Sequence, residues 1–233
     1  MCPPPHDSAA PPAPPAENTG FQAAVLSVVA GYADTLGFLS FGAFAGLMTG
    51  NTVLLGTALI GGAPLRALHT LAIIAAFLAG VGASARLRGM GWSLAQLLVP
   101  EALALAAASF LPPAAAAPAL AFGMGLQNAA ATRFAGTTLN TVFLTGDLQK
   151  LTLAVVGRFG AGRPPPAAAA PRVGVLALVY AGYFAGVLLG ATAHALVARP
   201  LLLAVPVLPL ALVPTGARRR TRPTPPPGTQ PPG

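Results

Sequence analysis

The sequence predicts an all-α fold: a polytopic membrane helical bundle of about six full spans plus two short broken or re-entrant helices, built from an internal two-fold repeat. If the short helices cross fully, the count becomes eight. Three observations lead there. Only 8% of the 233 residues are charged while 55% are hydrophobic, with a mean hydropathy of +0.70, whereas a soluble domain carries about 25% charged residues. Residues 21–85 hold Asp34 and Arg66 as their only formally charged side chains. Three short motifs recur in the same order in the two halves of the chain.

Residues 1–20 contain seven prolines and residues 214–233 another seven. Proline fixes φ and removes a backbone donor, and such polar, Pro-rich segments bury too little to offset the entropy of ordering. Disordered tails are therefore expected at 1–20 and 215–233. Between them the strong apolar segments are 21–44, 65–85, 93–111, 114–132, 173–197 and 200–214. A span needs about 20 apolar residues, so most of these suffice. The last is the weakest: its 15 residues fall short of a ~30 Å core at about 1.5 Å each, and Pro206 and Pro209 should kink it. Two shorter stretches, 48–62 and 138–157, begin with polar triplets.

The repeat pairs Gly31-x-x-Asp34 with Gly125-x-x-Asn128, Thr49-Gly50-Asn51 with Thr145-Gly146-Asp147, and Ala79-Gly80-Val81 with Ala185-Gly186-Val187. It divides the chain into repeat 1 at 21–112 and repeat 2 at 113–214. If the short stretches do not cross, the halves are inverted; if they cross, the halves are parallel. Charge bias favours the inverted form, because six spans with both termini cytoplasmic leave only Arg66 and Arg199 of 13 Lys/Arg outside, as the positive-inside rule prefers. Glycines spaced by four, at 42, 46 and 50 and at 182, 186 and 190, would each line one helix face and let backbones approach.

The net charge of +8 divides into −2 over residues 1–20, +4 over the last 20 and +6 between. Most cations flank apolar segments, and no aromatic-interleaved basic groove appears, so nucleic acid is not an expected partner. The C-terminal arginines suit anionic lipid headgroups. Cys2 has no second cysteine to pair with. The first apolar stretch lacks a basic flank and exceeds 20 residues, which reads as a retained span rather than a signal peptide. His6, His69 and His194 form no metal-ligand cluster, Gly157-x-x-Gly160-x-Gly162 lacks the ending of a phosphate loop, and Ser84 has no paired base. No metal, no cofactor and no enzymatic activity are expected.

Gly31-Tyr-Ala-Asp34 followed by Met48-Thr-Gly-Asn51, with Gly125-Leu-Gln127-Asn128, Arg133 and Leu144-Thr-Gly146 in the second half, resembles the YoaK-like family of bacterial membrane proteins, named as domain of unknown function 1275 and of the UPF0700 type. The resemblance covers about residues 21–214. It implies a small multi-pass inner-membrane protein and supplies no substrate. Asp147 departs from it, since an uncharged polar residue is expected there.

An ionisable side chain inside an apolar span costs about 2.5–3.5 kcal/mol on insertion scales and marks a functional candidate by default. Asp34 lies near the middle of the first span and Glu101 near the middle of the third. Each either takes part in proton-coupled movement or fixes packing through a hydrogen-bonded carboxyl. The triplets read as helix starts inside the membrane: Thr49, Asn51, Thr145 and Asp147 can accept free N–H groups, and glycine permits the turn. Asp34, Asn51, Asn128 and Asp147, with Gln127, are expected to line one polar centre; the bland alternative is that each triplet caps only its own helix. Arg133 and Lys150 are secondary candidates, as partners for Asp147 or for lipid phosphate. The expected function is a transporter or channel for a small solute or ion, with a structural or partner-binding membrane protein as the alternative; a homo-oligomer is compatible with either.

Overall fold

A computed structural model describes residues 19–130, 132–134, 137–138, 140–142, 144–159 and 173–213. The proline-rich tails, apart from residues 19 and 20, and the loop Arg163 to Pro171 lie outside it. The described residues form seven α-helices and a terminal 3₁₀ helix: α1 Gly20–Phe41, α2 Met48–Ile60, α3 Pro64–Gly89, α4 Leu94–Ala108, α5 Pro113–Ala130, α6 Leu144–Phe159, α7 Val173–Leu196 and Pro200–Leu212. One antiparallel pairing of two-residue strands, β1 Arg133–Phe134 with β2 Thr137–Thr138, adds to the expected all-α pattern. It closes a hairpin and forms no layer. Three helices, α1, α3 and α7, are long and apolar enough to cross a membrane.

Local chemistry sets the boundaries. α1 opens on a capping box in which Thr19 accepts from the N–H of Gln22 and the Gln22 side chain accepts from Thr19, and α4 repeats the device with Ser93 and Gln96. Such reciprocal bonds satisfy donors a helix start leaves free. Gly42, at φ 67, ends α1 in the left-handed conformation that glycine adopts without strain. Residues 200–212 wind as a 3₁₀ helix rather than a kinked α-helix. At ~2.0 Å rise its 13 residues extend about 26 Å, which removes much of the length deficit expected for that segment.

α1 packs along α7 and α3 along α5, and each pair is a close backbone crossing built on glycine. A side-chain carbon at Gly31 would strike the Tyr183 carbonyl, and one at Gly186 the Val28 carbonyl; at the other crossing, Gly125 faces Phe77 and Gly80 faces Phe122 in the same way. Gly182, Gly186 and Gly190 all meet α1, as their spacing predicts. The trio Gly42, Gly46 and Gly50 does not share a helix face: the first ends α1, the second sits in the loop and the third lies in α2.

The contacts also fix directions. α7 runs parallel to α1, with Gly20 beside Val175, Gly186 beside Val28 and Ser40 bonded to His194 at the far end. α5 runs opposite to α1, since Gln127 reaches Leu26 while Leu111 shares a surface hollow with Phe41. α3 follows α5: Gly80 lies against Phe122, and the Arg88 guanidinium donates to the carbonyls of Ala129 and Ala130. α3 therefore starts at the end of the bundle where α1 finishes, and α2 must return to that end.

Removing the glycine clearance should be costly. Gly186→Ala or Gly80→Ala should lower unfolding stability in detergent by about 1–3 kcal/mol, the usual range for overpacking. Gly82→Ala, which meets nothing within 4 Å, should leave it unchanged or slightly raised.

Candidate functional site

After Gly42 the chain turns back along α1. A side-chain carbon on Gly37 would meet the backbone of Ala43 and Ala45, and Gly46 reaches the level of Asp34, seven residues before the end of α1, or about 10 Å at 1.5 Å per residue. α2 thus begins inside the bundle. Its loop arrives with backbone donors that need partners, because helix starts leave N–H groups unpaired and the surroundings are apolar. Asp34, buried at 3% exposure, supplies them: Oδ1 accepts from Gly46 N at 2.6 Å and Leu47 N at 3.3 Å. Its Oδ2 accepts from the Tyr183 hydroxyl at 2.8 Å, tying the loop to α7.

Asn51 closes the same loop from the other side. Its Oδ1 accepts from Phe44 N at 2.9 Å and its Nδ2 donates to Phe44 O at 2.8 Å, so one buried amide satisfies both backbone groups of one residue. Gly50 is small because the Phe44 ring occupies the space its side chain would fill. The triplet thus does not cap its helix as expected. Leu47 is the N-cap, without a side-chain cap bond, and Thr49 and Gly50 lie within the first turn.

The second half makes a parallel arrangement. Asp147 Oδ2 accepts from Asn140 N at 2.8 Å, across the same seven-residue interval that separates Asn51 from Phe44. Its Oδ1 pairs with Lys150 Nζ at 2.7 Å, and Lys150 also donates to the Thr138 carbonyl at 3.0 Å. The charge at 147 that departs from the expected pattern is thereby neutralised three residues on. Gln127, fully buried, donates to Leu26 O at 2.8 Å and to Thr141 Oγ1 at 3.2 Å, so it anchors the second loop to α1 and α5.

The two loops touch. A side-chain carbon at Gly46 would overlap Val142, 96 residues on. Beside that contact lies a cavity of about 210 Å³ walled by Leu47, Thr49, Val142, Thr145, Tyr180 and Tyr183, among others. Of the expected site residues, Thr49 and Thr145 line this cavity directly and Asp34 reaches it through Tyr183. Asn51, Asp147 and Gln127 act one layer back, each holding a loop. Asn128 is not among the lining residues; its Oδ1 is buried with no hydrogen-bond partner among the described residues. Glu101 is separate. It is fully buried on α4, after Pro100, and neither carboxyl oxygen has a partner among the described residues. Arg133 contributes its backbone to β1, and its side chain lies outside the described residues. The residues that sequence reasoning missed are Tyr180 and Tyr183; the available signal was a phenol within the glycine stripe of α7, where a polar tip amid apolar neighbours calls for a partner. No group of three or more potential metal ligands occurs among the described residues.

An all-helical bundle with membrane-length apolar helices and a polar-lined break in each half defines a membrane-like helical protein. The comparison with protein families is specific: residues 22–214 match the family described as "Protein of unknown function (DUF1275)", and the chain belongs to that family. No curated protein and no solved structure matches the chain.

The roles above separate by stability. Asn51→Ala, which strands the N–H and carbonyl of Phe44, should cost at least about 2 kcal/mol. Tyr183→Phe removes one hydrogen bond to a carboxylate and should cost about 1–2 kcal/mol. Glu101→Met should raise the unfolding midpoint, since it replaces an unpartnered buried acid with an apolar chain of similar length; a drop would reveal a partner for the acid.

Proposed function

We propose that this protein is a multi-pass inner-membrane transporter or channel for a small solute, with its site at the cavity between the two loop-helix units. The observation that carries the reading is the meeting of Gly46 and Val142, which brings a broken element from each half to one cavity. Broken helices that converge at the interface of two repeats are how secondary transporters build solute sites at midplane.

An inverted duplication underlies the proposal. α1 and α5 begin the two halves and run in opposite directions; α1 packs on α7 as α5 packs on α3. The glycine contacts correspond residue by residue: Gly186 faces Val28 and Tyr32, Gly80 faces Phe122 and Leu126, and both facing pairs are 94 residues apart. In this topology α1, α3, α4, α5, α7 and the 3₁₀ helix are the spans. α2 and α6, of 13 and 16 residues, are re-entrant, because each starts from a loop that reaches the Gly46–Val142 contact rather than from the end of a preceding span. Both termini are cytoplasmic. Arg86 and Arg88 then lie inside with the end of α5, and Arg66 and Arg199 outside.

Two measurements test this. In a Cys2→Ser background, single cysteines at Ile60 and Val156, both well exposed, should be labelled from opposite sides of the membrane; same-side labelling would sink the inversion. Purified protein in liposomes should pass a small solute faster than protein-free liposomes do. A dry, impermeable protein whose stability depends on a second polypeptide would instead make it an assembly protein.

A further inference from the structure

Six of the eight threonines within the described helices give their hydroxyl to a carbonyl three or four residues back: Thr35, Thr52, Thr57, Thr70, Thr152 and Thr192. The other two are Thr49 and Thr145. Each sits in the second position of its helix, so the carbonyl four residues back belongs to the preceding loop. Neither hydroxyl has a hydrogen-bond partner among the described residues. They are 96 residues apart in equivalent triplets, and both line the same cavity.

The charges around that cavity are already matched. Asp34 accepts from two backbone N–H groups and from Tyr183. Asp147 is paired with Lys150 and with Asn140 N. No Asp, Glu, Lys, Arg or His is among the lining residues, and the polar side chains that line it are all neutral hydroxyls, Thr49, Thr145, Tyr180 and Tyr183. A bound ion would find no countercharge among the lining residues to offset the water it gives up. At about 210 Å³ the space equals roughly seven waters at ~30 Å³ each and lies below the ~300–1,000 Å³ of drug-sized ligand pockets.

We infer that the cavity binds a small uncharged solute with hydrogen-bonding groups at two ends, one end held by the Thr49 hydroxyl and the other by the Thr145 hydroxyl. Asp34 is a positioning residue for the loop rather than an ion ligand. The inference rests on the transport reading above and narrows its solute to the uncharged class.

Osmotic swelling of liposomes holding the full chain tests it, with ethylene glycol, glycerol and urea as uncharged probes and potassium chloride and ammonium chloride currents as ionic ones. The uncharged probes should enter faster than in protein-free liposomes, with no ionic current. Thr49→Val and Thr145→Val, which keep the shape and remove the hydroxyl, should each slow entry about tenfold, the worth of one hydrogen bond. Thr49→Ser and Thr145→Ser, which restore it, should recover the rate; this recovery separates a lost contact from a misfolded variant. Ionic current without uncharged flux overturns the solute class and leaves the transport reading standing. Uncharged flux that both valine variants leave unchanged overturns the role of the threonines. No flux of any probe overturns both readings.

Discussion

A backbone that breaks its helix inside an apolar bundle must find internal partners for the N–H and carbonyl groups it frees, because no water competes for them. Two breaks occur here, after α1 and after α5. The buried polar side chains are distributed to meet that demand. Asp34 accepts from Gly46 and Leu47, Asn51 from Phe44 and Asp147 from Asn140, while Lys150 donates to the Thr138 carbonyl and Gln127 to the Leu26 carbonyl and the Thr141 hydroxyl. The acids in this set owe their place to backbone geometry first. Each accepts from more than one donor, and no Asp, Glu, Lys, Arg or His is among the residues that wall the space between the loops.

Bringing two such loops together requires the helices that carry them to lie close. In lipid no hydrophobic drive pulls helices together, so proximity has to come from dispersion between backbones. The glycines at 31 and 186, and at 80 and 125, allow it at the two crossings. Because α1 meets α7 and α3 meets α5, each crossing joins a helix from the first half to one from the second. The bond from Tyr183 to Asp34 lies across one of these seams, next to the carbonyl that Gly31 faces. Packing and polar closure are therefore coupled: shifting α7 from α1 would break the hydrogen bond and open the wall of the cavity in one step.

Much of this is legible in the sequence. The apolar segments at 21–44, 65–85 and 114–132 became α1, α3 and α5 with shifts of a few residues, since length and hydropathy are one-dimensional properties. The triplets fall in the first turns of α2 and α6, and the first does not cap its helix. Thr, Gly and Asn before an apolar run suggest a cap, but Asn51 reaches back seven residues to Phe44, a contact that depends on the loop's return along α1 and has no local signature. The terminal segment looked too short as an α-helix, and spacing alone gives no sign that it winds as 3₁₀. Pairing Asp34 with Asn128 by motif matched sequence position but not chemistry, because the loop contact in the second half is made by the neighbouring Gln127. Tyr183 was invisible to motif reading, as its partner lies 149 residues away.

The two halves share geometry yet differ in how firmly each loop is held to its surroundings. The first loop is bonded by a carboxylate to its own backbone and, through Tyr183, to the opposite half. The position that matches Asp34 is Asn128, in the second half, and the one that matches Tyr183 is Phe77, in the first; these two side chains cannot form a phenol-to-carboxylate bond. The second loop's ionic contacts, Asp147 with Lys150, close the loop on itself, and the link to α5 is the neutral pair of Gln127 and Thr141. Hydrogen bonds to an ionised group are roughly twice as strong as neutral ones. Of the two elements that wall the cavity, the first is thus the better anchored to the bundle. The acid at position 34 ties the first loop to α7 through Tyr183, a bond that Asn128 has no means to reproduce in kind.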